Sequence, residues 1–551
     1  MSQDSFILPH TADPPFYLPE LKFDHCDYSP DIALTIWEGF GFSADRLTTG
    51  LSQKCSQGGI EEYLQQFPRE EVSRSLEHHA EGPRIMAYAV DTENVEIVQL
   101  LLGYNGDASS KYFDDVPLLA FAIMRVRRNE HTSLEMIKLL LSYGANPLVI
   151  PREMWKDYVN TPIAMNYNSD KMSSSERWCV HKYRFALAKE LDLTTRYYLW
   201  KASRLRKPAR RMLQIAEASK MTALLRLPFR IIGQELAVKL VIDTVYTHMA
   251  QDTEKPLVMV FAGATGHEKT ELAIQMGSLL SVQNITIGYT HFNSQTAQFG
   301  SIFGDESNAN RTPLNSFLVD NHGKRCVVFL DEFDKADDNT LNALLKVMDD
   351  GTYRDRRWGA DDAELDCRRV IWILSTNLGN DAISGFHSQY LAKCSNEDVA
   401  NISIEPLQSE LEELYMSHFP PAITNRIDAI APFFPFNKGE QAVIAHKFLL
   451  EFIDEIRRPI NERANRLVGH TKIRMVEDGK VCGEVARKWY KEGLGAPSIY
   501  KGVRALRRKF VLKYADTDDL VGDSMDEGDH ERYVIQLNPT GEDRELSISR
   551  E

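Results

Sequence analysis

Hydrophobic positions follow two different periods along this chain. From residue 231 onward, short unbroken apolar runs alternate with stretches of helical periodicity. "PLVMVFA" leads into the loop "GATGHEKT" (263–270) and then the periodic "ELAIQMGSLL", while "RCVVFLDEFDKA" (325–336) and "RRVIWILSTNLG" are further apolar runs with polar ends. Unbroken runs bounded by glycine or charge and separated by helical periodicity predict buried parallel strands in an α/β sheet. Upstream the period is helical throughout. "RIMAYAVDTENVEIVQLLLGYNGDAS" (84–109) and "PLLAFAIMRVRRNEHTSLEMIKLLLSYGANP" (117–147) follow one plan, Ala87-Tyr88-Ala89 returning as Ala120-Phe121-Ala122 after 33 residues. The stripe Val95 to Leu102 then returns as Leu134 to Leu141, displaced by the insert "RVRRNEH". Residues 58–67 and 160–167 read as degenerate copies. Each copy predicts a helix pair that buries its stripe against its neighbour, with a plain helical bundle as the alternative.

Composition narrows the class. At 551 residues with 43% hydrophobic and 26% charged positions, the chain is expected to hold several domains, and no apolar run reaches the ~18 residues that a membrane span needs. The first basic residue, Lys22, follows Asp4, Asp13 and Glu20, which fits neither a secretory nor a mitochondrial leader. Seven scattered cysteines without a C-x-x-C pair suggest reduced thiols, and the expected compartment is the cytoplasm. A formal charge of −15 disfavours a nucleic-acid partner for the whole chain. The cations Lys201, Arg204, Arg206, Lys207, Arg210 and Arg211 form a local exception, read as a solvated face of a basic connector that packs against an acidic partner domain rather than as a nucleic-acid site.

The candidate chemistry sits at the ends of the apolar runs. "GATGHEKT" matches the phosphate-binding pattern G-x-x-x-x-G-K-[ST] except at Glu268, where glycine is usual because a side chain would crowd the phosphates. Such a loop, opening a helix, aims backbone N–H groups at an anion. Lys269 would reach the β and γ phosphates of ATP, and the Thr270 hydroxyl would ligate magnesium. Asp331 would hold magnesium through water, Glu332 would polarise the attacking water, and Asn377 would position it.

In order and spacing these pieces resemble AAA+ ATPases, and within them the ClpB-type branch, over about 226–515. The resemblance implies further roles. "IIGQELAVKLV" places Ile232 and Gly233 beside adenine, while Ala264, Thr265, Gly266 and His267 complete the phosphate loop that starts at Gly263. "FPPAITNRIDAIAPF" makes Arg426 the finger serving a neighbouring subunit, and "GVRALRR" makes Arg504 a second sensor on a helical lid. Phe299 and Phe303 in "QFGSIFGDESN" stand where the family carries an aromatic pore segment. The 33-residue step and the Gly-Ala-Asn turn resemble ankyrin repeats. The expected fold is therefore multidomain: an N-terminal all-α ankyrin-like solenoid, an α/β AAA+ P-loop domain with a parallel sheet, and a mostly helical C-terminal lid. Expected boundaries are an extension (1–54), repeats (55–165), the connector (166–225), the large ATPase domain (226–437), the lid (438–535) and a tail (536–551). The implied function is an ATP- and Mg2+-dependent remodelling ATPase. It would act on protein clients as a homo-oligomeric ring, a hexamer by that resemblance, with the repeats binding a protein partner. A degenerate nucleotide-binding scaffold with little turnover is the alternative.

Overall fold

The computed structural model describes residues 41–551 except 79–81, 113–114, 126–129, 161–175, 207, 252–254, 289–312, 337, 355–363, 394–398, 400–401, 461–465, 517–530 and 541–542. The chain divides into two compact units, each assembled from separated segments. Among the described residues no helix is long and apolar enough to cross a membrane.

One unit comprises Arg206–Ile444 and Val485–Gly502. Its centre is a five-stranded sheet of β1 (Leu257–Ala262), β2 (Asn284–Gly288), β3 (Cys326–Asp331), β4 (Val370–Thr376) and β5 (Ala429–Pro432). The strand order is β2-β3-β4-β1-β5, and every pairing is parallel. Because successive side chains leave a strand on opposite faces, the apolar runs feed two cores at once. Val258, Val260, Val328, Leu330, Trp372 and Leu374 pack on one face, with the helices Asp338–Asp349 and Glu405–His418. Met259, Phe261, Val327, Phe329, Ile371 and Ile373 pack on the other, with the helices Glu235–Ala250 and Lys269–Leu279. Ala262 pairs with Thr376, and β3 ends at Asp331 beside them, so the carboxyl ends of the three central strands share one rim. That rim is where open parallel sheets bind ligands.

The second unit comprises Met1–Leu205, Ala445–Glu484 and Val503–Glu551. Its N-terminal region is helical, and the repeated stripe faces inward. Ala87, Tyr88, Ala89, Ala120, Phe121 and Ala122 are all buried, as are Val98, Leu101, Ile137 and Leu140 on the following helices Val95–Gly103 and Glu130–Ser142. Asn94 caps the first of these by accepting the Ile97 N–H at 3.0 Å, which ends the preceding turn and starts the second helix of the pair. Residues 536–540 and 543–550, within the segment expected as a tail, lie in strands. β6 (Thr471–Met475) runs parallel to β7 (Glu531–Thr540), which pairs antiparallel with β8 (Asp543–Arg550) over a core containing Phe452, Phe510, Tyr533 and Ile535. The C-terminal region is thus helical with a small sheet.

The connector also departs from expectation. Lys201 was read as part of a solvated cationic face, yet it is buried in the helix Leu193–Arg204, its ammonium 5.7 Å from the Tyr197 ring centre. Arg196, on the same helix, is 1% exposed and pairs with Asp478 at 2.7 Å. Its Nε donates to the Tyr158 carbonyl at 2.9 Å, and the backbone N–H groups of Leu193 and Gly479 fill the remaining carboxylate positions at 2.6 and 2.7 Å. A Cβ on Gly479 would lie 1.8 Å from the Val159 carbonyl oxygen, so the chain at Val159 packs closely against Gly479.

This saturated ion pair predicts a specific loss. Burial pushes the Asp478 carboxyl up, but Arg196, His446 and the Gly479 N–H together outweigh it and leave the group below its ordinary 3.8. A depressed carboxylate contributes stability that is complete above the unfolded value and is lost as pH falls through the folded one. Asp478→Asn leaves Arg196 buried without a counter-charge, at a cost of about 3–5 kcal/mol. Denaturant unfolding of this unit should shift accordingly at neutral pH, and the variant should lose part of the wild type's acid-induced destabilisation below about pH 3.8. An unchanged midpoint at pH 7 would remove the pair from the set of structural determinants.

Candidate active site

The three central strands of the sheet each deliver one chemical group. β1 enters the loop Gly263–Glu268, where two glycines are required by close approach. A Cβ on Gly263 would lie 2.5 Å from the Phe433 carbonyl oxygen, and one on Gly266 would lie 2.4 Å from that of Leu494. The loop's carbonyls are turned onto protein donors: Gly266 O accepts the Ala496 N–H at 2.9 Å, and Ala264 O and Thr265 O lie 3.3 and 3.1 Å from His267 Nδ1. A trans peptide points its C=O and the next N–H in opposite directions, and among the described residues there is no cis bond. The N–H groups of Thr265, Gly266 and His267 therefore point away from these partners, and none has a protein acceptor among the described residues. Successive backbone donors of this kind suit an anion.

Glu268 completes the loop at φ 70°, ψ 8°, in the left-handed region. Glycine is usual at this position for that backbone reason as well as for the crowding expected from sequence, and a non-glycine residue there costs on the order of 1 kcal/mol. Lys269 follows and is almost fully buried. Its ammonium donates to Gly263 O, to Ala264 O at 3.2 Å, to Thr376 O at 3.3 Å and to Asn377 Oδ1 at 3.0 Å. Burial pulls its pKa down; Asp331, Asp334 and Glu332 pull it back up only in part, to about 8. Asn377 also accepts from the Thr265 hydroxyl at 3.3 Å, so the end of β4 is tied to the loop after β1 twice.

The acid pair is fixed from β4 as well. Ser375 donates its hydroxyl to Asp331 Oδ1, and the Glu332 N–H reaches that oxygen at 3.2 Å and Ser375 Oγ at 3.3 Å. Glu332 adopts φ 55°, opening a short 3-10 turn, and its Oε2 lies 2.9 Å from Lys335 Nζ. Asp334 Oδ1 is buried with no hydrogen-bond partner among the described residues.

The donor row fits phosphate, and an unpartnered buried carboxylate oxygen beside Asp331 and Glu332 fits a cation. Among the described residues no cluster of His, Cys, Asp and Glu forms a free-standing metal site. Thr270, in the first turn of its helix, is exposed, so its hydroxyl is open to a ligand.

Other expected residues lie elsewhere. Ile232 and Gly233 are buried in a turn that precedes the helix Glu235–Ala250, pinned by the Gln234 amide, which donates to Phe434 O at 2.8 Å and accepts its N–H at 3.0 Å. Arg426 forms an ion pair with Asp349, an acid that also lies 3.4 Å from Lys255 Nζ. Arg504 is exposed on the helix Ala496–Ala515 and belongs to the other unit. Phe299 and Phe303 lie outside the described residues. The sequence reading missed Asp334, Asp349 and Ser375, although each stands within or next to a motif it used. It also missed Tyr490, whose neighbourhood carries no motif.

Residues 255–430 match the family model of the AAA domain (Cdc48 subfamily). The chain is 30% identical over 243 residues to the chaperone protein ClpB of Chlamydia pneumoniae, covering 42% of this chain and 26% of that one. It is 28% identical over 311 residues to ClpB of Staphylococcus epidermidis, covering 54% and 32%. To the ATP-dependent Clp protease ATP-binding subunit ClpL of Lactococcus lactis it is 26% identical over 325 residues, covering 55% and 37%. The chain thus spans between about a quarter and two fifths of the relatives it matches. Residues 255–430 are accordingly similar to the AAA domain of the Cdc48 subfamily, and the likeness to ClpB and ClpL supports an ATP-hydrolysing enzyme.

Proposed function

We propose that the chain is an ATP-dependent remodelling ATPase that acts on protein clients as a ring of identical subunits. The observation that carries the reading is the Lys269–Asn377 contact at 3.0 Å, because it joins the phosphate loop to the strand end where a hydrolytic water would be placed. The Lys269 ammonium and the N–H groups of Thr265, Gly266 and His267 hold phosphate oxygens. Magnesium, when bound, neutralises phosphate charge, and Thr270 and Asp331 are the residues to hold it. Glu332 takes the proton of the attacking water, and Asn377 orients that water. Ile232 and Gly233 border the adenine, and Arg504 acts as a second sensor. Arg426 serves the neighbouring subunit's phosphate, which is the reason for a ring. The helix pairs over 55–165 act as ankyrin-type repeats that select a protein partner; their inward Ala-aromatic-Ala stripes support that reading. The large ATPase domain spans 226–437 and the lid follows it.

A second reading, a nucleotide-binding scaffold with little turnover, is favoured by one feature: the left-handed Glu268 in the phosphate loop. ATPase rate measured against protein concentration separates the two. A finger supplied in trans makes specific activity rise with assembly, and a flat, near-zero rate at millimolar MgATP establishes the scaffold.

Two variants test the roles. Glu332→Gln should keep MgADP binding and lose turnover by roughly 10²–10⁴, the range of a general base; surviving turnover would show that another group takes the proton. Mixing Arg426→Ala with Lys269→Ala subunits should restore part of the activity, since an intact Lys269 site then borrows an intact finger. Mixtures as inactive as their components would defeat the ring.

A further inference from the structure

His267 lies within the phosphate loop, yet its side chain belongs to a different network. The ring is 1% exposed and stacks on Phe436 with centroids 5.1 Å apart and planes 21° from parallel. Nδ1 faces two acceptors, the carbonyls of Ala264 and Thr265, and so must carry the proton. Nε2 is then an acceptor, 3.3 Å from the Tyr490 hydroxyl, and that hydroxyl in turn accepts the Phe436 N–H at 3.3 Å. Every donor in this chain meets an acceptor: the Phe436 N–H to Tyr490, the Tyr490 O–H to His267, the His267 Nδ1–H to the loop. Burial holds the imidazole below its ordinary titration range, consistent with the neutral tautomer that the contacts require.

The two carbonyls that His267 holds are those whose peptide planes set the direction of the Thr265 and Gly266 N–H groups. Ala264 O is shared with the Lys269 ammonium at 3.2 Å. When that ammonium turns to a phosphate, the imidazole N–H remains as the carbonyl's donor. One residue further on stands Glu268 at φ 70°, where a glycine would adopt the conformation without strain. A loop strained at that point needs its peptide planes held by side-chain bonds, and here the holding ring is itself anchored outside the loop by Tyr490.

We propose that His267, supported by Tyr490, is a positioning residue for nucleotide phosphate: it fixes the Ala264 and Thr265 peptides with their N–H groups toward the anion and so compensates for Glu268 in place of glycine. This rests on the nucleotide-binding reading above and adds to it a reason why a loop lacking its glycine still binds.

The test is calorimetric titration of the full chain with MgADP, which reads binding without turnover, alongside thermal unfolding of each variant. His267→Leu should weaken binding about tenfold, the loss of one hydrogen bond that orders the loop. His267→Asn, whose amide N–H replaces Nδ1–H, should recover most of that loss, and Tyr490→Phe should cost roughly threefold, as a support one bond removed. In a Glu268→Gly background the His267→Leu penalty should fall below about threefold, because the strain it offsets is gone. Equal penalties in both backgrounds overturn the compensation. Undiminished binding by a folded His267→Leu protein overturns the positioning role altogether while leaving the ATPase reading intact. Absence of MgADP binding by the wild type overturns both. Should His267→Leu fail to fold, the Tyr490→Phe comparison in the two Glu268 backgrounds decides by the same non-additivity.

Discussion

The buried Lys269 ammonium is the contact on which the rest of the site depends. Its four oxygen partners come from the phosphate loop and from the end of β4, so one cation draws together two segments more than 100 residues apart. Its low pKa, about 8, shows that the cage does not fully replace water. A group held at a net desolvation cost gains by meeting a stronger anion than a carbonyl dipole, and the phosphate of a nucleotide supplies one. The Asp331–Ser375 bond acts alongside it, holding the acid strand to the same β4 end. The rim is thus braced from β4 in both directions, although β4 itself contributes only short polar side chains.

Three strained residues flank this brace. Gln234, Glu268 and Glu332 all adopt left-handed φ values without being glycine, and they lie, respectively, at the turn before the helix Glu235–Ala250, in the loop Gly263–Glu268 and in the acid pair. Each costs on the order of 1 kcal/mol, and Gln234 and Glu332 are held by neighbours that over-determine them. The Gln234 amide makes two bonds to one backbone residue, and the Glu332 N–H has two oxygen partners. Tight turns at the ends of parallel strands are what bring short side chains to the rim, so the strain is a consequence of placing chemistry there.

Much of this was legible in sequence because buried parallel strands carry unbroken apolar runs. β1, β3 and β4 announce themselves that way, and their polar ends mark the rim. β2, an edge strand reading "NITIG" with only one fully buried position, gives no such signal. Strands β7 and β8 lie in a polar, charged segment whose alternation is masked by long side chains, which is why residues 536–551 read as a tail. The deepest failures are contacts with no local trace. Arg196 and Asp478 are 282 residues apart, and His267 and Tyr490 are 223 apart. In both cases one partner sits in a stretch that looks generic: a basic helix for Arg196, a lid loop for Tyr490. A buried arginine is unreadable without its partner, because the same residue on a solvated face has the same spelling.

The Arg426–Asp349 pair bears on how a site shared between subunits would be completed. Within a single chain the guanidinium is already neutralised, so transferring it to a neighbour's phosphate exchanges one anion for another and does not create a new pairing from water. The exchange gains because a phosphate carries more charge than a carboxylate and accepts a bidentate guanidinium. It would fail if Asp349 were left stranded, since an abandoned carboxylate cancels part of the gain. Lys255, already 3.4 Å from Asp349 and largely exposed, remains beside the acid after the arginine departs. Arg426 could therefore leave Asp349 at low cost to its own subunit, and its release would then depend on what a neighbour offers.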